Sequence, residues 1–501
     1  MSNTFSVPRN HLILGVCLPL AMVMGYFLAE PLDSVSMGVV VLVLTVLSIP
    51  LFMRWHYPLL LLSWNACINP YFFPGRPYMW MLMAIISCFF ALLARAAGSN
   101  HRFLSAPCLT KSLLFVVAVV IATAALRGGV GLNSFGSTSY GGKGYVMILL
   151  AIVGYFAFTS QPVPSRLAVW YVGFFFLSGI TSVISNLAYI AGPKFWFLYD
   201  LFPPEGAFSQ LAADYSPNDE IVRISGAPVA AQAIWCFLLA IYGLEGMFEI
   251  RKPWRMLVLA GAILAGMYGG FRSALALFAM TFAILFCLEK LWRTRILLYV
   301  MAGLLAAGIG LAAFSEDLPL SMQRAVSFLP VKVDPMAEHD AQGSTTWRIE
   351  MWERLLPEVP QYLLKGKGYS LDPQDMYLMN ESVRRGFATT ADFAASVGDY
   401  HNGPLSIIIP FGLWGTAAFG WFLIAGIWVM HRNYRHGPAE LQRINTFLYA
   451  FFLAKVVFFV VVFGSIYSDM FQFAGLVGFS IALNGGIAGA GREADGQPET
   501  A

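Results

Sequence analysis

The sequence predicts an all-α polytopic membrane protein of about 12–14 transmembrane helices with one large hydrophilic loop. Three observations carry that prediction. Of the 501 residues, 58% are hydrophobic and only 12% charged, half of the roughly 25% charge typical of a soluble domain. Apolar runs of near-spanning length recur along the whole chain. A single long hydrophilic stretch, 316–401, leaves one such run and returns straight into another.

The apolar runs lie at 12–29, 35–53, 57–73, 78–94, 109–126, 145–159, 166–191, 229–248, 254–271, 273–288, 295–315, 403–430, 446–464 and 468–487. Hydrocarbon offers no partner to backbone polar groups, so these are helices rather than open strands. The first follows Arg9 and His11 and, at about 18 residues or roughly 27 Å, reads as an uncleaved signal-anchor. The weakest are 57–73, broken by Asn65, Asn69 and Pro70, and the short 145–159.

Loop charges set the expected orientation. One alternating set of connections carries Arg54; Arg95, Arg102 and Lys111; Arg166; Arg251, Lys252 and Arg255; Lys290, Arg293 and Arg295; and Arg432, Arg435 and Arg443. The opposite set, at 30–34, 74–77 and 126–144, is poor in Lys and Arg. The rich side is expected in the cytoplasm. Both termini then lie inside, and the 316–402 and 192–228 loops outside. The expected organisation is transmembrane helices over 1–315, the large outer loop 316–402, helices over 403–487, and a disordered cytoplasmic tail 488–501.

Several chemistries have no signal. A net charge of +3 without a basic run interleaved with aromatics argues against nucleic acid. Six cysteines (Cys17, Cys67, Cys88, Cys108, Cys236, Cys287) sit in or beside apolar runs and none in the loop, which excludes a disulfide there. No HExxH, CxxC or His/Cys cluster predicts a metal. GxxxxGK[ST] and Gly-x-Ser-x-Gly are also absent.

Within the loop, 13 acidic residues stand against eight Lys or Arg, so an anion site has to be built locally from particular arginines. Trp347, Met351 and Leu355, with Ile349 and Trp352, have the spacing of an amphipathic helix. Ser344, Thr345 or Thr346 is its expected N-cap, and Arg348 and Trp352 then lie one turn apart on one face.

Three basic residues stand out. Arg272, in Gly269-Gly270-Phe271-Arg272-Ser273, sits where two apolar runs meet; it is either part of a site or an anchor to lipid headgroups. Arg348 has the planar fork that suits phosphate or carboxylate, or else it pairs with Glu350 or Glu353 on an exposed helix. His401 stands where the chain returns to the membrane, as a proton-transfer residue or as a structural one. Lys455 and Asp469, in or near the last two apolar runs, either pair or line a cavity.

These residues fall in an order that resembles the O-antigen ligase and polymerase superfamily. Gly270-Phe271-Arg272-Ser273-Ala274-Leu275 resembles its small-residue/Arg/small-residue motif. Arg348-x-x-x-Trp352, Gly366-Lys367-Gly368 and His401-Asn402 … Phe411-Gly412-Leu413-Trp414-Gly415 are similar to its later series, and Arg223-Ile224-Ser225-Gly226 to a further arginine motif. Gly-Phe-Arg departs from the usual small-polar-Arg pattern, and Pro357 and Pro360 interrupt the segment before Gly-x-Gly.

The resemblance implies a metal-independent, multi-span (GT-C-like) glycosyltransferase of the bacterial inner membrane, without a cofactor. It would transfer a glycan from a polyprenyl diphosphate donor to an acceptor hydroxyl of a glycan or lipid A core at the periplasmic face, in polysaccharide or lipopolysaccharide biosynthesis. Arg272 and Arg348, with Arg223 as a third, would bind the diphosphate, and a neutral His401 would serve as general base. Asn402, Trp352, Gly366 and Gly368 would support them, with Trp352 and Tyr400 facing sugar rings or packing. A polysaccharide polymerase and a protein O-oligosaccharyltransferase share this donor chemistry. The readings of other kinds are a lipid-linked glycan transporter and a transferase with an acidic base at Glu30 or Asp33.

Overall fold

The computed structural model describes residues 34–71, 73, 75–96, 103–129, 142–207, 210 and 221–489, with positions 18, 19, 21, 22 and 25 before them. The expected signal-anchor run, the acidic positions Glu30 and Asp33, and the tail from 490 onward thus fall largely or wholly outside the described residues. Contacts divide the chain into two units, 1–57 and 58–501.

Helix α1 spans Ser34–Trp64, beginning in the first unit and ending in the second. The break expected near Arg54 is therefore absent. Arg54, Trp55 and His56 are all compatible with a helix. The chain leaves the helix only at Asn65, whose amide donates to Phe175 O at 2.7 Å. The following segment pairs with another connection: Asn69 N donates to Leu201 O at 2.7 Å and Tyr71 N to Asp200 O at 2.9 Å.

The second unit continues with α2 (Met79–Ala96), α3 (Pro107–Arg127), α4 (Lys143–Phe158), and α5 (Ala168–Leu177) joined by a 3-10 turn to α6 (Ile184–Ala191). Then come α7 (Ala227–Met247), α8 (Trp254–Met267), α9 (Arg272–Leu288) and α10 (Ile296–Phe314). The loop holds α11 (Leu320–Val326), α12 (Pro335–Leu355), α13 (Val359–Tyr362), α14 (Pro373–Arg384) and α15 (Thr390–Ser396). Last are α16 (Gly403–His436), α17 (Gln442–Val461) and α18 (Ile466–Asn484). There is no strand among the described residues. Among the described residues eight segments are long and apolar enough to cross a membrane, and α4, α8 and α9 are shorter apolar helices. The protein is an all-α polytopic membrane protein.

Between helices in lipid there is little hydrophobic driving force, so fit and polar pairs hold a bundle together. Here α4 packs on α2 and α18, α16 on α3, α17 and α18, and α7 on α8 and α17. Phe419 meets Phe459 at 5.4 Å and Phe452 meets Phe473 at 5.6 Å between ring centroids, contacts worth about 0.5–1.5 kcal/mol each beyond their area. Asn445 and Asn484 exchange two hydrogen bonds of 2.8 Å. Lys455 and Asp469 do pair, at 3.4 Å, and Asp469 also accepts from Ser465 N at 2.9 Å. By contrast, no residue of α10 is buried.

The loop is folded onto one end of this bundle through two small cores. Met351, Leu355, Ala391 and Tyr400 pack with Leu405 and Ile409 of α16. Met322, Ala325 and Val326 pack with Met267 at the end of α8. The amphipathic pattern around Trp347 is real, but its helix begins earlier than expected, at Pro335. Asp334 caps it, accepting from Met336 N at 2.8 Å, and proline stands at its first turn, a stronger start signal than a Ser or Thr within an already helical run. Thr345 instead turns its hydroxyl back to Ala341 O at 3.2 Å, as mid-helix Thr does.

Candidate functional site

The arginines come together where α12 lies across the mouths of α7, α8 and α9. α8 ends in a turn through Gly270, whose φ is +68°, a backbone state that glycine adopts freely. Arg272, the first residue of α9, then reaches α12, donating to Ala341 O at 2.7 Å and Thr345 Oγ1 at 2.9 Å. Arg223, in the segment before α7, donates to both oxygens of Asp340 at 3.0 Å. Arg324 on α11, only 5% exposed, bonds the same carboxylate and the carbonyl of Gly270. Asp340 thus gathers two arginines from elements far apart in the chain.

Arg348 follows Thr345 on the same side of α12, two turns beyond Asp340. It is half-buried, and its Nε is buried without a hydrogen-bond partner. Neither Glu350 nor Glu353 pairs with it. Burial, and then repulsion from Arg272 and Arg324, hold its guanidinium below its ordinary value, against a smaller opposing pull from Asp399. Arg272 and Arg348 therefore form a positive surface that the Asp340 carboxylate, already shared by two other arginines, does not neutralise.

His401 stands beside them. Its φ is +51°, uncommon for a residue other than glycine and the kind of backbone state that accumulates at functional sites. Its neighbours fix it from both sides. Tyr400 is 1% exposed in the loop core, and its carbonyl accepts from Trp352 Nε1 at 2.9 Å. Asn402 caps α16, accepting from Leu405 N at 3.0 Å. His401 Nδ1 lies 3.1 Å from Asp399 Oδ1, and its ring meets Trp347 and Phe463 edge-on, each at 5.1 Å. Phe463 also lies 5.9 Å from the Arg348 guanidinium, so one ring neighbours both side chains.

The family model of the O-antigen ligase domain matches residues 256–420. This segment, about a third of the chain, is thus similar to the O-antigen ligase superfamily. That similarity supports ligase- or polymerase-like glycan biosynthesis, and the apolar helices a multi-pass membrane setting. No curated protein matches the chain.

The ligase segment also holds the glycines, and the structure gives them one purpose. α16 is broken at Gly412, with φ +65°, just after Pro410. The segment 363–368 lies against the break and pairs with the freed groups. Lys367 N donates to Ile409 O at 2.7 Å, Gly368 N to Pro410 O at 3.0 Å, and Leu413 N to Leu363 O at 2.7 Å. A Cβ at Gly366 would stand 2.1 Å from Pro410 O, so only glycine allows that approach. Gly368 packs on the Tyr145 hydroxyl, and Arg127 Nε donates to Gly366 O at 2.8 Å. Gly-Lys-Gly and Gly-Leu-Trp-Gly are two halves of one strap-and-break joint.

Of the residues singled out from sequence, Arg223, Arg272, Arg348 and His401 converge. Trp352 bonds the Tyr400 carbonyl, Asn402 caps α16, Gly366 and Gly368 lie against the break in α16, and Tyr400 is buried core. Arg324, Asp340, Asp399 and Phe463 are additions. Asp399 carried a weak signal, two residues before His401, where an extended chain puts both side chains on one side. The other three had none. Among the described residues no group of three or more His, Cys, Asp or Glu is placed to hold a metal.

Proposed function

We propose that this site transfers a glycan from a polyprenyl diphosphate donor to an acceptor hydroxyl of a glycan or lipid A core at the periplasmic face of the inner membrane. The observation that supports it most is the pairing of two arginine forks, Arg272 and Arg348, that have no carboxylate hydrogen-bond partner among the described residues, with a histidine held by Asp399. Two such forks suit a diphosphate. Arg223 and Arg324, engaged by Asp340, act as positioning residues for them.

In the reaction the acceptor oxygen forms a bond to the anomeric carbon, and the bond from that carbon to the diphosphate oxygen breaks. The electron pair leaves with the polyprenyl diphosphate, whose growing charge falls on Arg272 and Arg348, prearranged electrostatic stabilisation. The hydroxyl proton passes to His401. With Nδ1–H donated to Asp399, the opposite nitrogen, Nε2, presents its lone pair to the acceptor. Nε2 has no hydrogen bond among the described residues.

The test uses purified protein, a polyprenyl-diphosphate glycan and an acceptor in detergent. His401→Ala is expected to slow transfer by about 10²–10⁴ with donor affinity unchanged. Arg272→Lys and Arg348→Lys weaken donor binding and turnover together. Near wild-type transfer by His401→Ala removes histidine as the base. Donor movement across vesicles without transfer selects the transporter reading.

A further inference from the structure

The opposite end of the bundle carries a second site. A cavity of about 600 Å³ opens between the end of α2, the start of α3 and the end of α4. Leu92, Phe103, Val153 and Phe156 make its walls apolar, and Arg95 and Lys111, both exposed at the surface, stand on its lining. Among the described residues no Asp or Glu lines it. The Arg95 guanidinium lies 5.9 Å from the Phe103 ring, which keeps it at the cavity. α3 begins here without a side-chain cap, so its first amides and its positive dipole end face the same place.

The cavity is remote from the arginine and histidine site. α3 has 21 residues, a length of about 31 Å, and its far end is tied to the strap by Arg127. A helix of that length spans the hydrocarbon, so the two sites belong to opposite leaflets. An apolar cleft within the bundle, with two cations and no anion among the described residues of its lining, fits a ligand with hydrocarbon chains and a negative head. We propose that this cavity binds an anionic glycerophospholipid of the leaflet opposite the transfer site, its phosphate between Arg95 and Lys111 and an acyl chain against Leu92, Val153 and Phe156. By the distribution of loop charges that leaflet is the cytoplasmic one, where basic pockets between helices bind anionic heads.

The experiment is native mass spectrometry of the full-length protein in mild detergent, titrated with phosphatidylglycerol or with phosphatidylcholine of the same chains. Wild type is expected to retain phosphatidylglycerol about ten-fold better, and Arg95→Gln/Lys111→Gln to lose that preference. Val153→Trp, which fills the apolar wall and leaves both charges, lowers retention of phosphatidylglycerol. Arg293→Gln, an exposed cation on another connection, leaves it unchanged. If the double variant does not fold, Lys111→Gln alone carries the same expectation, a smaller but measurable drop. The proposal is overturned if wild type shows no preference, or if the preference survives the charge and wall variants. It is also overturned if glycerol 3-phosphate displaces the lipid, because the ligand is then a soluble phosphate.

Discussion

Arginine serves the two ends of this bundle in different ways. At the loop end, Arg223, Arg272, Arg324 and Arg348 crowd together. Two share Asp340, and among the described residues the other two make no hydrogen bond to a carboxylate, Arg272 bonding neutral oxygens and Arg348 lying near Phe463. At the other end Lys252 and Arg255 share Glu249, while other cations stand apart over aromatic rings: Arg293 at 4.3 Å from Trp292 and Arg432 at 5.3 Å from Trp428. A ring and a headgroup region satisfy an interfacial arginine. Four guanidiniums around a carboxylate that bonds only two of them are not satisfied that way, and mutual repulsion makes the cluster costly without an anion. The lesson is that an arginine's partners, rather than its place at a membrane edge, separate a site from an anchor.

The comparison breaks most directly at Arg272 and Arg348. Lysine in place of either keeps charge but loses the fork, and initial transfer rates are expected to fall by about 10²–10³ with the protein still inserted. If lysine works as well as arginine, these residues are anchors like Arg293. Next is Asp340→Asn, which leaves Arg324 buried without its carboxylate. Thermal melting in detergent should show a loss of roughly 2 kcal/mol, less than for a fully buried pair because Asp340 is itself 35% exposed. Transfer should fall with it, since two arginines lose their anchor. Gly412→Ala should destabilise by about 1–3 kcal/mol through its backbone state and lower transfer by a smaller factor, which the same two assays measure. Arg293→Gln and Arg432→Gln should keep transfer within about two-fold.

Two further measurements sharpen the contrast. In a cysteine-free background, His339→Cys is expected to react with an impermeant thiol reagent from the periplasmic side and Arg293→Cys only after lysis; the reverse exchanges the leaflets of both sites. Transfer is expected to persist in EDTA, because arginines are assigned to the diphosphate. Loss restored by Mg²⁺ points to an added ion.

The membrane architecture was largely legible because apolar runs report the solvent, and lipid imposes helices on them. What hydropathy could not report is which helices pack: α10 is as apolar as any helix here, yet none of it is buried. Within the site, Arg272 and His401 were legible from their place where loop meets helix, and Arg348 from its order in the series. The partners that give them meaning were not. Arg223 and Asp340 lie 117 positions apart, and no local pattern encodes such a pairing. The start of α12 was misread for a different reason. Ser344, Thr345 and Thr346 offered the same capping chemistry as Asp334, and only the extra proline made one start stronger.

The strap across the break in α16 bears on how the chain is assembled. Gly412 lies nine residues beyond Gly403, the first of the helix, or about 13 Å along it. Bare carbonyls at such a depth would cost several kcal/mol each in hydrocarbon. The segment that covers them is made before the helix that needs it, since 363–368 precedes 403. A polypeptide emerging from the ribosome therefore presents the cover first, and α16 can enter lipid with its break already closed. Chain order itself guards this helix, and a permuted protein with α16 ahead of the loop would meet the bilayer unprotected.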